Sequence, residues 1–261
     1  MAADKSSLVV FVHGMFMTPL CWGALGVALS LARPAHTGSG LARARVFHRR
    51  AAGAHPVPSS VRSRLSSLCS TTAASFWRKT RSRFGRAPRW AAGPASAFGG
   101  IGAGRVAIDS APPQGVISPG GPFLKSNWPA INPFAREAEP ISLSFEQFQY
   151  AFVNGLPPDE QKAAYSRYAV PESRRVGKGP TTAAAAIDFA RPRPLLLFIA
   201  GSQDHIIPAS LNRTNHAKYR ASGSVTDFNE FAGRTHFIIG QRGWEEVADY
   251  ALDWLVRQPT A

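Results

Sequence analysis

Leu195-Leu196-Leu197-Phe198-Ile199-Ala200, followed by Gly201-Ser202-Gln203-Asp204, is a run of six apolar residues that stops on a glycine and delivers an acid. Six residues is a strand's length, and an unbroken apolar run predicts a parallel strand covered on both faces. Pro208 then opens a helix that reaches about Arg220, and Val225 to Phe231 reads as the next strand. A loop, Ala232-Gly233-Arg234-Thr235-His236, leads to the clearest helix of the chain. In that helix Trp244, Val247, Ala248, Ala251, Trp254 and Leu255 recur at i, i+3, i+4, i+7 spacing. Strands alternating with helices predict the α/β class, a mostly parallel sheet with helices on both faces.

The same pattern stands at the other end of the chain. Leu8-Val9-Val10-Phe11-Val12 is a buried strand running into His13-Gly14-Met15-Phe16-Met17-Thr18-Pro19. Val106-Ala107-Ile108-Asp109 is a further short strand ahead of turn residues. Between about 120 and 187 the chain is aromatic, helical and interrupted by Pro and Gly. Ser144 with Gln147 forms a capping-box signature for a helix that carries Phe145, Phe148 and Phe152 on one face. A second helix starts near Pro158 and carries Ala164, Tyr165 and Tyr168. The aromatic stripe suits core packing first and ligand contact second, and a helical cap over a pocket satisfies both. The organisation expected is an N-terminal core part over 1–119, a helical cap over 120–187, and a C-terminal core part over 188–261.

Ligands of open α/β sheets bind beyond the carboxyl ends of the strands. Three polar signals stand there: His13-Gly14, Asp204 and His236. Each has a plain structural reading. Asp204 could cap the helix after Pro208, His236 could be a hydrogen-bonded loop histidine, and His13-Gly14 could be a strand-ending turn. Their order along the chain carries more. An acid bonded to a histidine fixes its tautomer and stabilises the imidazolium formed when it takes a nucleophile's proton.

Residues 195–204, then 233–236 and the terminal helix, resemble the last third of the α/β-hydrolase family, and Val9-Val10-Phe11-Val12-His13-Gly14 resembles its first motif. The resemblance covers about 7–24 and 105–257 and is nearest to bacterial lipase/esterase-type or haloperoxidase-type members with a helical cap. It implies an α/β-hydrolase fold and a serine hydrolase of ester or related acyl bonds. It makes Asp204 the acid, His236 the general base, and the backbone N–H groups near Met15 or Phe16 the oxyanion donors. Asp109 is a lesser candidate for the acid. No cofactor is implied, since an activated serine and a histidine suffice for acyl transfer. Phe145, Phe148, Phe152, Trp128 and Phe134 suggest an apolar small-molecule ester or acyl substrate.

The family's nucleophile elbow, Gly-x-Ser-x-Gly, occurs nowhere in the chain, so the nucleophile is unknown. Ser96, in Gly93-Pro94-Ala95-Ser96-Ala97-Phe98-Gly99, is the nearest serine with glycines around it, at the wrong spacing. The gap falls in an anomalous block over about 26–104, rich in Arg, Ala, Ser, Gly and Pro, with no lasting period. From Lys5 to Ile108 there are 15 basic residues and no acid, while the rest of the chain holds 15 basic and 16 acidic residues. The net charge of +14 therefore belongs to the block. A GC-rich coding segment translated out of frame accounts for the lost periodicity, the missing acids and the missing elbow together. If the Arg89 codon ends in A, a read started on third bases from Arg86 to Ala92 is compatible with Gly-x-Ser-Met-Gly-Gly. On this reading the chain as written is inactive.

Two other classes compete. The arginines of the block, interleaved with Trp77, Phe84 and Trp90, could bind nucleic acid, but no nucleic-acid motif is visible and the flanks form one interrupted pattern, which argues against it. A non-catalytic hydrolase relative would explain a lost serine but not the retained Asp204 and His236. Cys21 and Cys69 do not make a disulfide framework, and no Cys/His cluster has metal-ligand spacing. No apolar run is long enough for a signal peptide or membrane span. A cytoplasmic, membrane-free location is expected.

Overall fold

A computed structural model describes residues 9–12, 14–22, 44–47, 104–116, 120–136 and 139–257. His13, Ser96 and most of the Arg-rich block lie outside the described residues. Strands β1 (Val9–Val12) and β2 (Ala44–Phe47) pair in parallel, with Val9 opposite Ala44 and Val12 opposite Phe47. One strand, β2, thus falls inside the segment that composition marks as irregular, and it pairs there with the apolar run of β1.

Among the described residues the larger sheet has three strands in the order β3 (Gly104–Ile108), β6 (Leu195–Gly201), β7 (Thr226–Phe231), all parallel. The run that decides the fold class is its central strand. Alternation sends Leu196 and Phe198 to one face, where they pack with Ala107 and Tyr219. Leu197 and Ile199 go to the other face and meet Val247, Ala251 and Trp254. The first face is covered by helix α5 (Ala209–Tyr219) and the second by α6 (Trp244–Arg257). Both faces are therefore dry, which is why the sequence shows no polar alternation. Each such side chain contributes about 1.5–3 kcal/mol of burial.

The segment before β6, the expected cap, is mainly helical and packs around an apolar cluster that it shares with the loop after β1 and Phe237. It comprises α1 (Gly121–Ile131), α2 (Phe145–Phe152), α3 (Pro158–Tyr168), α4 (Arg174–Lys178) and the two-residue strands β4 (Pro140–Ile141) and β5 (Glu172–Ser173), which pair antiparallel. The capping box at α2 is present in full: Gln147 N–H donates to Ser144 Oγ and Ser144 N–H donates to Gln147 Oε1. Phe148 and Phe152 stack at 4.7 Å and are fully buried.

The loop after β1 is tied into this cap. Thr18 N–H donates to Tyr168 O, Val170 N–H donates to Phe16 O, and Met17 bridges Ala169. Met17 and Cys21 join the cap core beside Phe148, Phe152 and Phe237. The next turn, Pro19–Trp22, lays Trp22 against Ala248, on which Ile108 also packs. Among the described residues no helix is long and apolar enough to cross a membrane.

Candidate active site

Asp204 stands three residues past the end of β6. Its Oδ1 accepts from the N–H groups of Ile206 (2.7 Å) and Ile207 (2.9 Å), as an acid in a tight turn should. It is buried, and its Oδ2 is left for another partner. The capping reading of Asp204 is not met: the helix after Pro208 has Pro208 itself as its N-cap, with no side-chain hydrogen bond, and Asp204 Oδ1 instead closes the turn ahead of it while Oδ2 faces the next loop. Helix α5 begins just beyond, at Ala209, behind Pro208.

His236 comes from the loop after β7, the next parallel strand. Its Nδ1 lies 2.7 Å from Asp204 Oδ2 and donates to it. This leaves Nε2 as the acceptor of a neutral imidazole; among the described residues it has no partner.

The loop is held from several sides. Gln203 N–H donates to Arg234 O at 2.8 Å, and Gly233 N–H donates to Ser202 Oγ at 2.9 Å. Buried Gln241 accepts at Oε1 from Thr235 N–H and Thr235 Oγ–H. Phe237 N–H donates to Phe152 O at the end of α2, so the cap grips the loop one residue past the histidine. Gly201 permits the close approach: a Cβ there would sit 2.5 Å from Arg234 O.

Two further groups reach this pair. The Phe152 ring meets His236 edge-on at 5.1 Å and Phe16 edge-on at 6.4 Å, linking the histidine to the loop after β1. Phe152 therefore packs the cap core and fixes the imidazole at once. The face pattern of α2 marks it as buried, but nothing local to α2 in the sequence points to His236, 84 positions away. Asp109, at the end of β3, is the second group. Its N–H donates to Ile199 O, and its Oδ1 accepts from Gly201 N–H at 2.9 Å, extending the β3–β6 ladder by a side chain. Its backbone is left-handed at φ 40°, uncommon outside glycine but tolerated by Asp and Asn. Burial, and then the charge of Asp204, push its carboxyl well above the usual carboxylate range.

Ligand atoms of Asp109, Asp204 and His236 all lie within 4.8 Å of one another. That spacing could hold a cation. Yet Asp204 is already committed to two backbone N–H groups and His236 Nδ1–H, which suits proton handling better than metal ligation. Cys21 offers no substitute nucleophile, since burial pushes its thiol up to about 12 and keeps it protonated. Met15 and Phe16 stand where the loop leaves β1. Phe16 is also left-handed, at φ 63°, and among the described residues its carbonyl is bonded to Val170 while the Met15 and Phe16 N–H groups have no acceptor.

No protein-family model and no curated protein matches the chain. Solved structures do. A bromoperoxidase from Bacillus anthracis is 15% identical with a TM-score of 0.53, over 98% of this chain and 93% of that one. A structure from work on LipS and LipT, two metagenome-derived lipolytic enzymes, is 17% identical with a TM-score of 0.53, over 98% and 95%. A thermophilic esterase from Thermogutta terrifontis is 15% identical with a TM-score of 0.50, over 96% and 90%. Together with a parallel sheet that delivers an acid and then a histidine from successive strand ends, this likeness shows that the chain has the α/β-hydrolase fold.

Proposed function

We propose that the chemistry built into this fold is hydrolysis of an ester or related acyl bond by a serine, with His236 as general base and Asp204 as its acid partner. The observation that carries the reading is the 2.7 Å contact from Asp204 Oδ2 to His236 Nδ1, which leaves Nε2 as acceptor. In that tautomer the imidazole takes a hydroxyl proton, and the buried carboxylate stabilises the imidazolium that results. The N–H groups of Met15 and Phe16 are the donors for the oxyanion of the tetrahedral intermediate. Each such donor is worth about 2.7–4 kcal/mol in the transition state. The neighbours support the substrate class: an esterase and lipolytic enzymes share the fold. This reading takes an apolar acyl or aryl group as substrate; Phe148 and Phe152, expected to suggest it, are fully buried and pack the core.

The nucleophile is the missing part. No Gly-x-Ser-x-Gly elbow stands in the sequence, and the Arg-rich block over 26–104 occupies its place in the order of motifs. We read the block as coding sequence displaced from its frame, so the chain as written holds an acid and base without a serine to serve. The test is hydrolysis of p-nitrophenyl esters by the chain as written, by its His236→Ala variant, and by a chain with the frame restored across the block. The first two turn over alike, at background. The restored chain turns over and loses activity with His236→Ala. Turnover by the chain as written that vanishes in His236→Ala contradicts the missing nucleophile. A restored chain indifferent to His236→Ala contradicts the assignment of the base.

A further inference from the structure

The third member of the cluster is not needed for an acid–histidine pair, and its environment is peculiar. Asp109 Oδ1 is bonded to Gly201 N–H, but Oδ2 is buried and, among the described residues, meets no donor. An ionised carboxylate with an orphan oxygen, next to a second carboxylate, is an expensive thing to bury. As a neutral acid the same group changes character: it becomes an O–H donor, and the Asp204 carboxylate, within 4.8 Å and in side-chain hydrogen-bond contact with it, is the acceptor. Asp204 has room for it. Oδ1 takes two backbone N–H groups and Oδ2 takes one imidazole N–H, which leaves a lone pair on Oδ2. Asp204 is also the better-supported anion, with three donors against one for Asp109.

We propose that Asp109 is held as the neutral acid and shares its proton with Asp204, making it a positioning residue that limits the negative charge behind His236 to one unit. The proposal rests on the assignment of Asp204 and His236 made above. Among the described His, Cys, Asp and Glu residues, those that face Asp109 are Asp204, beyond β6, and His236, beyond β7. The adjoining Ile108 packs against Ala248 and against the apolar cluster that holds Leu197, Ile199 and Val247. With one proton between the two acids, Asp204 keeps its carboxylate to accept from His236 Nδ1–H. The left-handed backbone at Asp109 is compatible with this role for Asp and equally for Asn.

Asp109→Asn is the isosteric test: Oδ1 still accepts from Gly201 N–H, and Nδ2–H replaces the acid proton toward Asp204. On the full chain, the side-chain carboxyl carbons of aspartate are followed by NMR from pH 5 to pH 8, with Asp109→Asn assigning the Asp109 signal. His236 is titrated in both proteins. The Asp109 carbon stays at the shift of a protonated acid, and the substitution moves the His236 midpoint by less than about half a unit. A carboxylate shift at pH 7 overturns the proposal. So does a His236 midpoint lower by about half a unit or more in Asp109→Asn, since an ionised neighbour at this range shifts a titration by roughly 1–3 units. If the variant does not fold, the carboxyl shift of the unaltered chain decides alone. Failure of the underlying reading looks different. It is a downfield His236 Nδ1 proton that is absent from the unaltered chain or survives Asp204→Asn, whatever the state of Asp109.

Discussion

Replacing Gly201 by alanine should unhook His236 from Asp204 without touching either residue. A Cβ at 201 would lie 2.5 Å from Arg234 O, 2.9 Å from Arg234 C and 2.9 Å from Thr235 O. All three are backbone atoms, so no side-chain tip can swing aside. To reach an ordinary contact of 3.4 Å the Arg234–Thr235 peptide must retreat by about 0.9 Å. His236 is the next residue, and its 2.7 Å bond to Asp204 lengthens toward about 3.5 Å, beyond a hydrogen bond. The 2.8 Å bond from Gln203 N–H to Arg234 O is displaced as well. Overpacking of this kind costs about 1–3 kcal/mol, and each lost hydrogen bond about 1 kcal/mol more. Urea unfolding should show Gly201→Ala less stable by about 3–5 kcal/mol. The downfield proton resonance of His236 Nδ1–H should be lost or moved upfield. A variant with unchanged stability and an intact downfield resonance would refute the claim that this glycine sets the distance between the two loops.

Other outcomes follow from the same geometry. Phe152→Ala removes a fully buried ring that stacks on Phe148 and braces His236, so urea unfolding should show a loss of about 3–5 kcal/mol, with a broadened His236 imidazole signal. Asp109 predicts a pH dependence of fixed sign. Its carboxyl lies above the usual range in the folded chain, so as pH rises past ordinary carboxylate values the unfolded chain gives up that proton first. Its contribution to stability is full at acid pH and falls as pH rises, by about 1.4 kcal/mol per pH unit, until the folded group titrates. Asp109→Asn should remove that component of the slope, which urea titrations at a series of pH values would measure.

The elements that form the sheet were legible because each carries its own evidence. The run from Leu195 to Ala200 has no polar alternation, and the structure buries both of its faces. Trp244 to Leu255 has a helical period and packs that way. The Ser144–Gln147 capping box is a local pattern with a local outcome. Asp204 and His236 were legible as a pair only through their order after two strands, since parallel neighbours bring successive strand ends together.

What stayed hidden is long-range. Nothing near Phe152 in the sequence tells that its ring meets His236, or that its carbonyl receives Phe237 N–H. Asp109 reads as the end of a short strand. Its partnership with Asp204 depends on β3 lying beside β6, which no short window contains. The pairing of Pro140–Ile141 with Glu172–Ser173 is too short to leave a periodic trace. Ala44–Phe47, a strand among the few described residues of the Arg-rich block, is defined by its partner β1 more than by its own composition.

The central claim, a serine hydrolase whose nucleophile was lost from the reading frame, is tested most directly by sequencing the DNA that encodes residues 26–104. The account predicts that the Arg89 codon ends in A, and that the frame starting on third bases across Arg86 to Ala92 spells Gly-x-Ser-Met-Gly-Gly within a stretch of restored acidic and periodic apolar residues. A sequence in which neither alternative frame holds a Gly-x-Ser-x-Gly would contradict it, and would leave Asp204 and His236 as a pair without a displaced serine to explain them.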